Sequence, residues 1–245
     1  MKIRIFSILS IISFTGGHLN AAPLDLDNVS AQANWMIHID FEGLLKTDVG
    51  QFVLAEIKKQ PNAQRQLAGI KAAFGVDIEG LGNLTAFGRG ENEKGIVIAS
   101  GGFNAKQLEG FVALNEKIET STHAGKTIYS EKKKAFAIID EDTIVAGTGA
   151  DYVKHGIDVL TGKQPSRDAS TLLNELAKAI PYPVAQGIAD LKMITKFNPP
   201  KKASKAAMLK KASAIGLAIG EVDGEVRVAA VMKTADEATA GHLEN

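Results

Sequence analysis

His38 and Asp40 come nearest, in residue type and spacing, to a chemical site. They stand two positions apart in residues 35–40, where Trp35, Ile37 and Ile39 take the alternate positions. This period of two predicts a β-strand, and residues i and i+2 of a strand share a face. The two side chains could therefore form a hydrogen-bonded dyad or part of a metal site. If helices cover the Trp35 face, the dyad lies on the opposite, more open face; the alternative is a pair of ordinary solvated polar residues.

The remaining histidines give no metal-binding pattern. Beyond residue 21 they are His123, His155 and His242, and none is spaced as H-x-H, H-x-x-x-H or H-E-x-x-H. His123 falls in a predicted turn and His155 on the outer face of a predicted helix, so both are expected to be solvated. The chain has no cysteine, which excludes thiolate metal sites, disulfides and a cysteine nucleophile. We predict no metal and no cofactor.

Matches to catalytic motifs are incomplete. Ser130 and Lys133 have the S-x-x-K spacing, but they fall in a turn between strands rather than on a helix, and the companion patterns S-D-N and K-T-G are missing. Gly125-Lys126-Thr127 resembles the end of a phosphate loop without its first glycine or its helix. The sequence therefore favours a protein that is not an enzyme, while a hydrolase site assembled in three dimensions around His38 and Asp40 stays open.

A lysine-rich segment follows Pro200. It contains no acidic residue up to position 212, and its lysines could contact lipid headgroups or an acidic partner; they are Lys201, Lys202, Lys205, Lys210 and Lys211. The simpler interpretation is a solvated helix face, because the apolar side of that helix consists of alanines and one leucine.

The N-terminus has the composition of a secretory signal peptide. Lys2 and Arg4 precede an apolar run over residues 5–14, and small residues follow at positions 21 and 22. We predict a signal peptide over residues 1–21, cleaved after Ala21, with an uncleaved anchor as the alternative. The protein is thus expected in the periplasm or outside the cell, and its lack of cysteine suits a bacterial envelope. No apolar stretch after the signal reaches the length of a membrane helix.

The overall charge argues against polyanionic partners. Lys plus Arg and Asp plus Glu both number 28, so no net field attracts nucleic acid. An unidentified protein or small molecule is the expected partner, and the oligomeric state is left open.

The elements around these residues predict an α+β fold, an antiparallel sheet with helices mainly on one face. The strongest local signal is Asp223-Gly224 between two apolar runs, a two-residue hairpin turn. Before it, Ala214, Gly216, Ala218 and Gly220 form a smooth strip on one strand face, which suits the close approach of a helix or ligand. After a leader over residues 22–33, the order strand, helix, hairpin, helix occurs in residues 34–163 and again in residues 164–245. This suggests two duplicated units, or one continuous domain.

Several short motifs resemble a loosely defined set of uncharacterised exported proteins of environmental bacteria. They are Trp35-x-x-His38-x-Asp40, Leu44, Thr47-x-Val49-Gly50, Gly102-Phe103 and Val145-Ala146-Gly147. The resemblance covers most of the chain after the signal and implies no activity. We therefore predict an exported, non-enzymatic binding or envelope-associated module. The alternatives are the hydrolase named above and an oligomeric structural protein that pairs through an exposed strand edge.

Overall fold

The computed structural model describes residues 3–8, 24–90, 94–168, 170–193 and 212–234. Its strands are β1 (Ile3–Ile8), β2 (Trp35–Asp40), β3 (Leu81–Gly88), β4 (Ile96–Gly101), β5 (Glu119–His123), β6 (Lys126–Glu131), β7 (Lys134–Ile138), β8 (Thr143–Gly147), β9 (Pro183–Asp190), β10 (Ala212–Val222) and β11 (Glu225–Thr234). They form one sheet in the order β1-β11-β10-β9-β2-β3-β4-β8-β7-β6-β5. Every strand pair is antiparallel, which confirms the predicted α+β class.

Six helices accompany the sheet in the described residues. They are α1 (Phe41–Lys46), α2 (Asp48–Lys58), α3 (Pro61–Phe74), α4 (Ala105–Ala113), α5 (Ala150–Leu160) and α6 (Thr171–Ala179). Four of them begin at a side chain that accepts a hydrogen bond from a first-turn amide; these caps are Asp40, Thr47, Asn104 and Ser170. Two of these caps, Asp40 and Thr47, set the starts of α1 and α2.

Helices α5 and α6 cover one face of the sheet and build the core there. Helix α5 packs on β4, β6, β7 and β8, and α6 packs on β9, β10 and β11. The buried side chains include Met36, Phe87, Ile157 and Leu176. The removal of these large apolar side chains from water stabilises the packing of α5 and α6 on the sheet.

The predicted smooth strip on β10 is the surface against which α6 packs. A Cβ atom built on Gly216 would lie 3.0 Å from Leu176 Cδ1, and one built on Gly220 would lie 2.6 Å from Ile180 Cγ2. Glycine at these positions therefore allows the helix to approach the strand closely. The Asp223-Gly224 turn is also confirmed: both residues have positive φ and join Val222 to its partner Glu225.

Residues 3–8, within the predicted signal peptide, pair as an edge strand along β11, from Ile3 with Lys233 to Ile8 with Val228. A chain cleaved after Ala21 would lack this strand, and β11 would then be the edge of the sheet.

Helices α1 to α4 form a separate group between β2 and β5 in the chain. Helix α1 contacts β3 and α2, and α3 contacts α2 and α4. The apolar residues Val49, Phe52, Val53 and Ile57 of α2 recur at helical spacing. Phe52 and Val53 are nevertheless exposed. Among the described residues, no helix has both the length and the apolar content needed to cross a membrane.

Two predicted helices fall outside the described residues. One is the lysine-rich helix after Pro200, with Lys201, Lys202, Lys205, Lys210 and Lys211. The other is the C-terminal helix from Thr234, of which only Thr234 is described, as the last residue of β11. The proposed duplication needs both helices and so stays a prediction.

Candidate functional site

The structure reverses the expected positions of the two faces of β2. His38 and Asp40 lie on the face that the helices cover, with 2% and 0% of their surface exposed. Trp35, Ile37 and Ile39 lie on the other face, and Ile37 is 49% exposed. The open-face position was expected only if helices covered the Trp35 face, and that condition is not met. The alternative of two solvated polar residues is also wrong, because both side chains are buried. The reason lies on other strands. Helix α6 packs on the face of β10 that carries glycine and alanine, and strand pairing places Met36 and His38 on that same face of the sheet.

His38 and Asp40 make hydrogen bonds that hold the fold. His38 Nδ1 lies 2.9 Å from the hydroxyl Oγ1 of Thr85 on the neighbouring strand. Asp40 Oδ1 accepts the amide hydrogen of Gly43 at 2.8 Å and so caps α1. Neither side chain lines the groove described next.

The open face carries an apolar groove built from three adjacent strands. Its walls are large side chains of β2 and β10, and its floor is the small residues of β9 between them. Three rungs run across it: Trp35–Ala189–Ile215, Ile37–Gly187–Leu217 and Ile39–Ala185–Ile219. The groove has a volume of about 470 Å³, within the range of roughly 300–1,000 Å³ that is common for ligand pockets.

Strand geometry sets the size of the groove. The walls stand two strand spacings apart, about 9–10 Å, and the three rungs span four residues, about 13 Å. An alkyl chain in contact with carbon atoms on both sides needs about 7–8 Å between them, at about 3.5–4.0 Å each. The backbone spacing and the volume of about 470 Å³ together match the dimensions of one extended apolar chain.

Glycine residues leave the floor of the groove free of side chains and make room for the Trp35 indole beside it. A Cβ atom on Gly187 would lie 2.9 Å from the Met36 carbonyl oxygen and 3.3 Å from Ile37 Cγ1. On the far side of β2, the Trp35 indole lies over Gly88 and Gly95, where a Cβ atom would come within 3.0 and 3.2 Å of Cζ2. The indole of Trp35 thus lies against Gly88 and Gly95, on the side of β2 away from β9.

The groove walls are exposed to an unusual degree for aliphatic residues in a sheet. Leu217 is 46% exposed and Ile219 is 43% exposed, whereas the alternate residue Ala218 is fully buried. Contiguous exposed apolar surface of this kind marks a binding site more often than a solvated face. Nothing in the groove resembles a catalytic set, because every lining residue except Gln186 is apolar.

The sequence contained a partial signal for this groove. Ala185, Gly187 and Ala189 alternate along one strand face, a pattern of small residues like the strip on β10. Only the pairing of β9 between β2 and β10 reveals that larger side chains flank these small ones.

Two predicted solvated histidines are instead paired. His155 Nε2 lies 3.0 Å from Ser30 Oγ, and His123 Nε2 lies 2.7 Å from Asp158 Oδ1. Burial lowers the pKa of His155, the nearby Arg89 charge lowers it further, and Asp158 partly opposes both. Within the described residues, no group of three or more His, Asp and Glu side chains is arranged to hold a metal ion.

Comparison with known proteins places the chain by fold alone. No protein-family model matches it, and no curated protein matches it. Two crystal forms of the protein TP0453 are similar in structure, each with a TM-score of 0.51. The first shares 9% sequence identity, and the match covers 91% of this chain and 86% of the TP0453 chain. The second shares 8% identity, and the match covers 92% of this chain and 97% of the TP0453 chain. The likeness therefore extends over most of both chains at very low identity.

Proposed function

We propose that this protein is an exported, non-enzymatic binding module whose groove holds one unbranched apolar chain, such as the acyl chain of a fatty acid. The observation that carries the proposal is the three-rung groove, in which exposed Ile37, Leu217 and Ile219 stand beside a floor of alanine and glycine. A protein in water gains little by exposing such residues unless an apolar ligand covers them.

The shape of the surface favours a single chain over a flat partner. A second sheet packed face to face would need side chains that interdigitate along several strands. Here the floor strand is recessed between two walls, so the best complement is a narrow rod. Each methylene group buried in the groove contributes about 0.8 kcal/mol, and binding needs no polar group within it.

Trp35 makes the proposal directly testable. It is the only tryptophan of the chain and it lines one end of the groove. A fatty acid with bromine on its acyl chain should quench the fluorescence of Trp35 in a saturable way. Phospholipid vesicles with brominated acyl chains form a second arm, which separates binding of a free acid from contact with a lipid surface.

A charged substitution in the wall provides the matched comparison. Leu217→Asp places a carboxylate beside Gly187, and burying it under an acyl chain is costly, so we expect affinity to fall about tenfold or more. The control is Leu114→Asp, because Leu114 is 88% exposed and lies outside the groove. Equal quenching in the two variants, or no saturable quenching in the unaltered protein, would refute the proposal.

Self-association through the same face is the competing outcome. If the fluorescence of Trp35 and the mass from light scattering change with protein concentration instead of with fatty acid, the groove is a contact between copies and the acyl proposal fails.

A further inference from the structure

A second cavity lies at the end of the sheet, away from the groove. It is enclosed by the loop before β2, the end of β3, the start of β4 and the first turns of α5, and has a volume of about 210 Å³. This is below the usual size of a drug-sized pocket. Its floor is apolar and buried, formed by Ala33, Phe87 and Ile96.

One wall of this cavity is polar and held in place. Ser30 is 3% exposed, and its Oγ is 3.0 Å from His155 Nε2. The same Oγ accepts the amide hydrogen of Gln32 at 3.2 Å. The imidazole is therefore fixed by a buried hydroxyl that is itself oriented by the backbone.

Two cationic or potentially cationic groups face the same space. Arg89 lines the cavity, and its charge acts on His155 strongly enough to lower the pKa of the imidazole, after burial as the larger cause. Two acidic residues are also close. Asp151 lines the cavity, with its Oδ1 3.0 Å from Lys154 Nζ and its side chain 91% exposed. Asp158 Oδ1 lies 2.7 Å from His123 Nε2, and its charge acts on the pKa of His155 in the direction opposite to that of Arg89. Mutual repulsion between Arg89 and protonated His155 would be relieved by an anion between them.

From this arrangement we infer that the cavity binds a small aliphatic monocarboxylate. Its carboxylate lies between Arg89 and His155, and its short alkyl tail covers the floor of Ala33, Phe87 and Ile96. The planar guanidinium suits a carboxylate in particular. The apolar floor distinguishes an organic acid from an inorganic anion, which could not use it.

Binding should be linked to protonation of His155. A bound carboxylate favours the charged imidazole and raises its pKa, so affinity increases as the pH falls from 8 to 6, while the ligand itself stays ionised. The other groups around this imidazole are Ser30, which is hydrogen-bonded to it, Arg89 and Asp158, whose charges act on it, and Asp151 and Tyr152, which line the same cavity.

The test is a titration of the full chain with hexanoate, followed by NMR of the histidine ring protons. We expect saturable binding, a higher pKa of His155 in the complex, and tighter binding at pH 6 than at pH 8. Arg89→Gln should weaken binding at least about tenfold, the loss expected for a hydrogen bond to a charged group. Arg65→Gln is the control, because Arg65 is an exposed arginine on α3 that contacts Pro61 and Asn62.

Two comparison compounds make the result decisive. Hexanamide lacks the charge and inorganic phosphate lacks the tail, so each should bind at least about tenfold more weakly than hexanoate. Equal binding of either compound, or an unchanged pKa of His155 at saturation, would overturn the inference. Because Arg89 is exposed, its replacement should leave the fold intact, which circular dichroism checks.

Discussion

Adjacent positions on β10 should lose different amounts of stability on substitution, because one faces the groove and the next faces α6. Ile219 is 43% exposed, so Ile219→Thr forfeits about half of the roughly 1.5–3 kcal/mol available from full burial, or about 1 kcal/mol. Threonine keeps the β-branched shape that suits a strand. The groove side of the strand should therefore tolerate this polar replacement.

Gly220→Val should cost considerably more. Its Cβ atom would lie 2.6 Å from Ile180 Cγ2 and 2.9 Å from the Tyr182 carbonyl oxygen, closer than real contacts allow. Overpacking against backbone costs about 3 kcal/mol, at the upper end of the usual range. For a chain of this size these values correspond to a fall in Tm of about 2–4 °C for Ile219→Thr and about 6–12 °C for Gly220→Val.

Urea unfolding followed by circular dichroism gives the free energy of unfolding of each variant, with equal m-values as the check on two-state behaviour. If large aliphatic residues were the buried face, as hydrophobicity alone would suggest, Ile219→Thr would be the more destabilising change. That order, or equal losses, would refute the assignment of the two faces.

Two further substitutions test the groove floor and a helix cap. Gly187→Val should weaken fatty-acid binding about tenfold or more, because the new side chain fills the floor of the groove and presses on the Met36 carbonyl oxygen. Gly110→Val is the control and should bind fatty acid normally, because a Cβ atom built there meets no atom within 4 Å outside its own helix. Equal affinities of the two variants would contradict the groove. Thr47→Val should lower the free energy of unfolding by about 1–2 kcal/mol, because the Gly50 amide loses the hydroxyl oxygen that accepts its hydrogen bond at 2.9 Å. Thr47→Ser keeps a hydroxyl and should lower it by less than about 1 kcal/mol. Urea midpoints that do not separate these two variants would contradict the cap.

Local sequence determined much of the secondary structure. Asp223-Gly224 specifies its hairpin through two positive φ angles, which depend on nothing outside the turn. Gly75 and Gly162 fit helix ends for the same reason, each with positive φ just beyond its helix. Strand β5 has no apolar alternation to recognise, because its sequence, ETSTH, is polar and its first four residues are exposed.

Alternation also determined which side chains share a face, without deciding which face is buried. It placed His38 with Asp40 and Trp35 with Ile37, and the structure confirms both pairs. Alternation in β2 alone would favour burial of the face with Trp35, Ile37 and Ile39, since the other face has Met36 as its one large apolar side chain. The choice depends on α5 and α6, which pack on distant strands, so it became visible only in the tertiary structure.

The candidate site is likewise a product of strand order. Ala185, Gly187 and Ala189 became a floor only because β9 pairs with β2 on one side and β10 on the other, about 150 and 30 residues away in the chain. Ser30 and His155 meet across 125 positions. The sequence by itself determined the turns, the helix caps and the alternation of each strand, because these depend on neighbouring residues. The tertiary structure decided the open face, the groove and the small cavity, because each depends on side chains that only long-range packing brings together.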